Sequence, residues 1–297
     1  MNQKVTSLLM AAAIGAAVTA GAAGADTAAI WTIAHRGAAG YAPENTAAAF
    51  DMAVHMKADL LELDVQLSRD GELVVIHDLS VDRTTNGKGE VRDMTLRELQ
   101  ALDAGSWYGP DYRGQRILSL TDFLTRYART GVGYLIEIKE PSLYPGIEQR
   151  LAQELEVHGL TRSGAPPVIV QSFDLESLVR FKQFLPFIPV GLLTYDDRDL
   201  DSDRLRRLAR TVEYVNPHLA LVTEEAIRKI RQYHLKTMVW TVREPNQAEL
   251  LLAYRVDGII TDYPDYVLWR SSSFETEQKE NSLRSGPKGI NVDVRFN

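Results

Sequence analysis

Apolar positions along the chain follow two alternating rhythms. Short, mostly apolar runs occur at WTIAHRG (31–37), DLLELDV (59–65), YLIEIKE (134–140), VIVQSF (168–173), VGLLTY (190–195), YVNP (214–217), TMVWTV (237–242) and GIITD (258–262). Each is short and mostly apolar, as a buried strand is. In other segments apolar residues recur every three to four positions, as in NTAAAFDMAVHM (45–56), SLTDFLTRYART (119–130), DLESLVRFKQFL (174–185) and TEEAIRKIRQYH (223–234). That spacing predicts amphipathic helices. Strands alternating with helices predict βαβ units and a parallel sheet. About eight such units is the count that closes into a (β/α)8 TIM barrel of about 250 residues. A doubly wound open sheet is the competing fold, but no glycine-rich phosphate fingerprint follows the first strand.

One segment departs from the rhythm. In LLELDVQLSRDGELVVIHD (60–78), Asp70-Gly71 joins two β-rich runs, and both residues tolerate the positive φ of a two-residue hairpin loop. Such a loop pairs Leu67 with Val74, Val65 with Ile76 and Asp64 with His77. Val65, Leu67, Val74 and Ile76 then share an apolar face, while Glu62, Asp64 and His77 share the other. Gln66 is a further polar residue where a strand would bury an apolar one. The returning arm, 73–78, is too tightly connected to be a parallel barrel strand. After it, 81–117 is rich in turn residues and holds one short helical pattern at 95–102, which predicts an insertion after the second strand. The insertion either shapes a site at the C-terminal face or serves only as a packed cap.

Barrels carry their chemistry at the C-terminal ends of strands. Here the first strand ends in His35-Arg36, the second carries Glu62 and Asp64, the hairpin returns His77, and the third ends in Glu137-Ile138-Lys139. Spacing of two places Glu62 with Asp64, and Glu137 with Lys139, on common faces. Burying so many charges is costly without partners, so a cation and an anion are the expected occupants. For 60–78 taken alone, a solvent-facing polar side of an amphipathic hairpin is the alternative.

The 297 residues, 45% hydrophobic and 25% charged, suit one large α/β domain or two small ones. The net charge of -7 argues against a nucleic-acid backbone as partner. A lysine-containing start, a small-residue apolar run and Ala23-Gly24-Ala25 before Asp26 predict a cleaved signal peptide over 1–25. An uncleaved anchor is the alternative, since about 20 apolar residues can span a bilayer. The chain has no cysteine, hence neither a lipid-acceptor Cys nor a disulfide, and a periplasmic or secreted soluble protein is expected. The barrel is expected over 26–270, followed by a polar, aperiodic tail at 271–297.

HRG (35–37), PENT (43–46), ELDVQLSRDGELVVIHD (62–78), EIK (137–139), QSF (171–173), WTV (240–242) and DGIITDYP (257–264) together resemble the glycerophosphodiester phosphodiesterases. The resemblance runs in order through nearly all of 31–269. It implies a (β/α)8 barrel with an insertion after the second strand and hydrolysis of glycerophosphodiesters to sn-glycerol 3-phosphate and an alcohol. It also implies that Glu62, Asp64 and Glu137 are divalent-metal ligands, and an all-carboxylate set fits Ca²⁺ or Mg²⁺ rather than zinc. His35 and His77 are implied as the acid/base pair. Arg36 and Lys139 would neutralise the phosphate, Glu44 would border the site, and Trp240 would wall the glycerol or its carbon chain. In the family the substrate's own glycerol hydroxyl attacks phosphorus, and water opens the resulting cyclic phosphate.

Structural roles stand beside these. Asn45 is expected to cap the helix starting at Thr46, Gln171, Ser172 and Asp262 to buttress, and His218, near a strand end, either to line the mouth or to be a loop residue without a role, while core packing is the alternative for Trp240. His55, His158 and His234 are expected as structural or surface residues without acidic partners. A lysophospholipase D or sphingomyelinase-D-like enzyme of the same superfamily is one alternative function, which an exposed apolar rim would favour. A non-catalytic secreted barrel that binds phosphodiesters is another, but such a module need not keep both histidines and all three carboxylates. The expected partner is a small glycerophosphodiester, with no nucleic acid and no membrane span after signal cleavage.

Overall fold

The two rhythms become alternating strands and helices in a computed structural model that describes residues 30–268. The expected signal peptide and C-terminal tail lie outside the described residues. The chain runs β1 (Trp31–Ala34), α1 (Ala47–His55), β2 (Leu60–Leu67), β3 (Leu73–Val75), α2 (Leu96–Gln100), β4 (Leu118–Ser119), α3 (Leu120–Tyr127), β5 (Gly133–Ile138) and α4 (Ile147–Val157). It continues β6 (Val168–Ser172), α5 (Leu175–Phe184), β7 (Val190–Thr194), α6 (Ser202–Leu208), β8 (Tyr214–Pro217), α7 (Glu224–Gln232), β9 (Met238–Val242), α8 (Pro245–Tyr254) and β10 (Gly258–Thr261).

Eight strands pair in parallel in the order β8-β7-β6-β5-β2-β1-β10-β9. Parallel bridges Tyr214↔Lys236 and His218↔Trp240 bring β8 beside β9 and round the sheet into a (β/α)8 barrel. All eight expected strands are present. Because side chains alternate, each strand serves two environments. Ile33, Leu60, Leu135, Ile169, Tyr214, Met238 and Ile260 fill the barrel interior. Residues one position along, such as Leu61, Leu63, Tyr134, Ile136 and Val170, face outward into the larger core with Phe50, Phe123, Leu151 and Phe181 of the helices. Toward the C-terminal ends the inward positions turn polar, with Asp64 beside Glu137 on β5 and Glu137 beside Gln171 on β6.

The hairpin differs from expectation by one residue. β2 and β3 pair Val65↔Val75, Gln66↔Val74 and Leu67↔Leu73. The loop therefore has three residues, Arg69 to Gly71: Gly71 N donates to Ser68 O at 3.0 Å, Ser68 N donates to Glu72 O at 2.9 Å, and Gly71 has φ +82°. Ser68 supports this longer turn, donating to Asp70 Oδ1 at 2.7 Å and accepting from Glu72 N at 3.0 Å. Three-residue hairpins ending in a left-handed glycine are a common solution. Asp64 thus faces Ile76, whose N–H donates to Asp64 O at 3.1 Å, and not His77.

The apolar pattern misleads because LVVI is apolar at every position and offers an apolar face in either register. Both faces are in fact buried. Val65, Leu73 and Val75 join the main core, while Val74 and Ile76 pack on Val81, Val91, Leu99, Ala104 and Ile117 of the insertion. Segment 81–117 thus closes over β3 with an apolar cluster of its own. It returns through β4, antiparallel to β3.

Candidate active site

Glu62 and Asp64 of β2 and Glu137 near the end of β5 come together, all buried, with candidate ligand oxygens within 4.8 Å of one another. Two cations face them. The Arg36 backbone N–H donates to Glu62 Oε2 at 2.9 Å, and its Nε lies 3.3 Å from Asp64 Oδ2. Arg36 adopts φ +54°, a left-handed backbone that costs energy for any residue with a side chain and here accompanies that contact. Lys139 Nζ lies 2.7 Å from Glu137 Oε1 and 3.8 Å from Asp64 Oδ1.

Three carboxylates against two cations leave an excess of negative charge. Burial, then repulsion from Asp64 and Glu137, pushes the Glu62 carboxyl well above the usual range. Burial also lifts Glu137 to about 7, although Lys139 opposes it. Burial acts upward on Asp64 too, yet Arg36, Lys139 and His77 outweigh it and hold that carboxyl low. Asp64 Oδ1 has no hydrogen-bond donor, and Glu137 Oε1 has its ammonium neighbour but no directed hydrogen bond. A buried, oxygen-only set with orphaned lone pairs and excess negative charge suits a hard divalent cation.

The two histidines have matching supports. His35, 8% exposed, sets Nδ1 2.5 Å from Asp262 Oδ1, and Asp262 Oδ2 accepts from Arg243 Nε at 2.5 Å. His77 sets Nδ1 2.7 Å from Asp78 Oδ1, while Arg83 donates to Asp78 through Nε at 2.6 Å and Nη2 at 2.9 Å. With Nδ1 on a carboxylate, the proton sits there in the neutral ring and Nε2 is left as the accepting nitrogen. Burial and the charge of Arg36 lower the pKa of His35, with Asp262 opposing. Burial likewise lowers His77, with Asp64 opposing and Arg36 and Lys139 adding to the fall. Arg83 holds Asp78 near 2.

Glu44 joins the two halves. It accepts from Arg36 Nη1 at 2.7 Å and from Arg83 Nη1 and Nη2 at 2.7 and 2.8 Å. Burial alone would raise Glu44, but these guanidiniums lower it. Asn45, expected as a helix cap, does something else. Thr46 is the N-cap of α1, whereas Asn45 Nδ2 donates to Asp64 Oδ2 at 2.8 Å.

Trp240 is the middle residue of β9, its Nε1 donating to Asn216 O at 2.7 Å. Its ring meets Phe173, Tyr195 and His218, which directly follow β6, β7 and β8, at centroid distances of 5.5, 4.7 and 5.1 Å, forming an aromatic wall. His218 therefore packs into that wall instead of standing alone on a loop. Gln171 reaches Glu62 Oε1 at 3.4 Å and accepts from Asn216 at 3.1 Å, while Ser172 donates to Ile138 O. Away from this mouth, His158 does have an acidic partner, Glu154 one helical turn earlier at 3.1 Å. Arg83, Arg243, Phe173 and Tyr195 escaped individual notice in the sequence. Asp78 had a legible signal, a carboxylate adjacent to a candidate histidine. Arg83 had none, because its place depends on how the insertion folds.

Residues 35–266 match the model of the glycerophosphoryl diester phosphodiesterase family. The Bacillus subtilis (strain 168) protein YhdW is 45% identical over 240 residues, covering 80% of this chain and 97% of that one. A second protein of that strain, a glycerophosphodiester phosphodiesterase, is 39% identical over 248 residues, 80% of this chain and 84% of its own length. An Oleispira antarctica phosphodiesterase, solved with its product sn-glycerol-3-phosphate, superposes with a TM-score of 0.75 at 29% identity, covering 81% of this chain and 96% of that one. Matched over this span, a chain whose barrel opens on an acidic mouth flanked by two carboxylate-held histidines belongs to the glycerophosphodiester phosphodiesterase family.

Proposed function

We propose that this chain hydrolyses glycerophosphodiesters to sn-glycerol 3-phosphate and an alcohol, with His35 and His77 as the proton-transfer pair. The observation that carries the proposal is the pair of histidines, each tied through Nδ1 to an aspartate, flanking one buried acidic cluster. Glu62, Asp64 and Glu137 would hold a divalent cation, Ca²⁺ or Mg²⁺, which when bound supplies positive charge to the phosphodiester oxygens. Arg36 and Lys139 add fixed positive charge beside it. Trp240 and its aromatic neighbours wall the mouth against the glycerol or its carbon chain, and Glu44 orients Arg36.

In this scheme a glycerol hydroxyl of the substrate attacks phosphorus, and one histidine accepts its proton on Nε2. The other, protonated, donates to the departing alkoxide oxygen as the P–O bond to the alcohol breaks. Water then opens the cyclic phosphate with the proton flow reversed. Intramolecular attack benefits from proximity, and imidazoles with an ordinary pKa of about 6.5 exchange protons near neutral pH. The signal-like segment 1–25 supports action in a periplasmic or secreted setting. No helix among the described residues is long and apolar enough to cross a membrane.

The test is release of sn-glycerol 3-phosphate from glycerophosphocholine, with and without a chelator. Release that chelation abolishes and Ca²⁺ or Mg²⁺ restores is the expected result. Binding without turnover in the presence of either cation would overturn the proposal, and full activity after exhaustive chelation would overturn its metal dependence.

A further inference from the structure

Gln66 shares the face of Glu62 and Asp64 on β2 and is fully buried, yet it is neither an acid nor a base. Its side-chain amide is occupied at both ends. Nε2 lies 2.9, 3.1 and 2.8 Å from the carbonyl oxygens of Ile76, His77 and Asp78, and Oε1 accepts from the hydroxyl of Tyr144 at 2.7 Å. Three carbonyl acceptors on one side and a hydroxyl donor on the other leave the amide a single satisfactory orientation.

Three consecutive carbonyls facing one donor cannot belong to an extended strand, where successive carbonyls point in opposite directions. The backbone is therefore wrapped around the Gln66 amide, beginning where β3 ends at Val75. Strand register alone sets Asp64 opposite Ile76 and gives His77 no place beside the acidic cluster. His77 nevertheless lines one cavity with Glu44 and Asn45, and Asn45 Nδ2 donates to Asp64 Oδ2 at 2.8 Å. The wrap supplies what the register lacks.

We infer that Gln66 is a positioning residue for His77: its amide, anchored by Tyr144, gathers the carbonyls of 76–78 and turns the chain so that His77 faces the carboxylate cluster. This rests on the proposed role of His77 in proton transfer. Asp78 and Arg83 orient the ring, whereas Gln66 sets the backbone that carries it. A misplacement of about 1 Å in such a group costs on the order of 100-fold in rate.

The test is a mutant cycle on sn-glycerol 3-phosphate release, combining Gln66→Met with His77→Ala. Gln66→Met keeps the side-chain length and removes both amide functions. In the wild-type background it should lower kcat about 10- to 100-fold with KM within about threefold, leaving the cation concentration for half-maximal rate unchanged. In the His77→Ala background it should change kcat less than about twofold, since its effect passes through His77. Tyr144→Phe, which deletes only the anchoring hydroxyl, should give a smaller loss that also vanishes in that background. If Gln66→Met does not fold, Tyr144→Phe decides. Effects that multiply with His77→Ala, or a shifted cation requirement, would overturn the inference and leave Gln66 a general support of β2. Inactivity of the wild-type protein would instead remove the proposed function, and wild-type activity with an unimpaired His77→Ala variant would remove the role of His77.

Discussion

Asp262 illustrates how much one residue's chemistry depends on a partner more than 200 positions away. It sits just past β10, holds Nδ1 of His35 at 2.5 Å, and is itself held by Arg243. Asp262→Asn would retain the shape but supply no carboxylate to stabilise an imidazolium or fix the tautomer. Expected is a loss in kcat of about 100-fold or more with KM little changed. Asp262 also opposes the burial that depresses His35, so its removal should move the pH–rate limb of the proton transfer proposed for His35 to lower pH. A variant with wild-type kcat and an unmoved limb would show that the contact has no part in catalysis. Glu62 with Asp64, and Glu137 with Lys139, were legible from spacing alone, because period two fixes which residues share a face. Asp262 was visible only as part of a motif, and the Glu44–Arg83–Asp78 network was invisible. Such contacts join loops from different strands, and no local period encodes them.

Among elements, the β2–β3 hairpin shows where local pattern ran out. Its existence followed from Asp70-Gly71, but register required knowing that the insertion buries the second face of β3. The observed loop separates turn strain from histidine placement. Gly71 has φ +82°, and a Cβ added there would meet nothing within 4 Å. Gly71→Val would suffer from backbone conformation and not from a clash, costing roughly 1–2 kcal/mol. Gly71→Asn should cost less, since asparagine tolerates the left-handed region. With 76–78 held by Gln66 and β3 flanked by β4, kcat should stay within about threefold of wild type while the melting temperature falls. A large loss of kcat at unchanged melting temperature would mean that the turn itself sets His77.

For the whole molecule, the acidic cluster sets the proposed metal binding against stability. The barrel was legible as eight spaced strands, yet its closure concentrates three buried carboxylates against two cations. Glu137 has its pKa raised from 4.5 to about 7, and Glu62 is raised as well. A raised carboxyl binds its proton more tightly folded than unfolded, so its contribution is fully present below the unfolded pKa and is lost as pH rises through the folded one. Asp64 shifts downward and contributes constantly above its ordinary 3.8. His35 and His77 also shift downward, so the stability they add on deprotonation levels off above about 6.5. From there to about pH 8 the two glutamates alone among these groups should weaken the metal-free protein. A divalent cation held there, as proposed, would replace their protons and would have to expel them at lower pH. The rise in melting temperature on adding Ca²⁺ or Mg²⁺ should therefore grow from about pH 6 to about pH 8, measured by calorimetry against a chelated control. An increment that is flat or shrinks over that interval would show that the cation does not take the place of protons on Glu62 and Glu137.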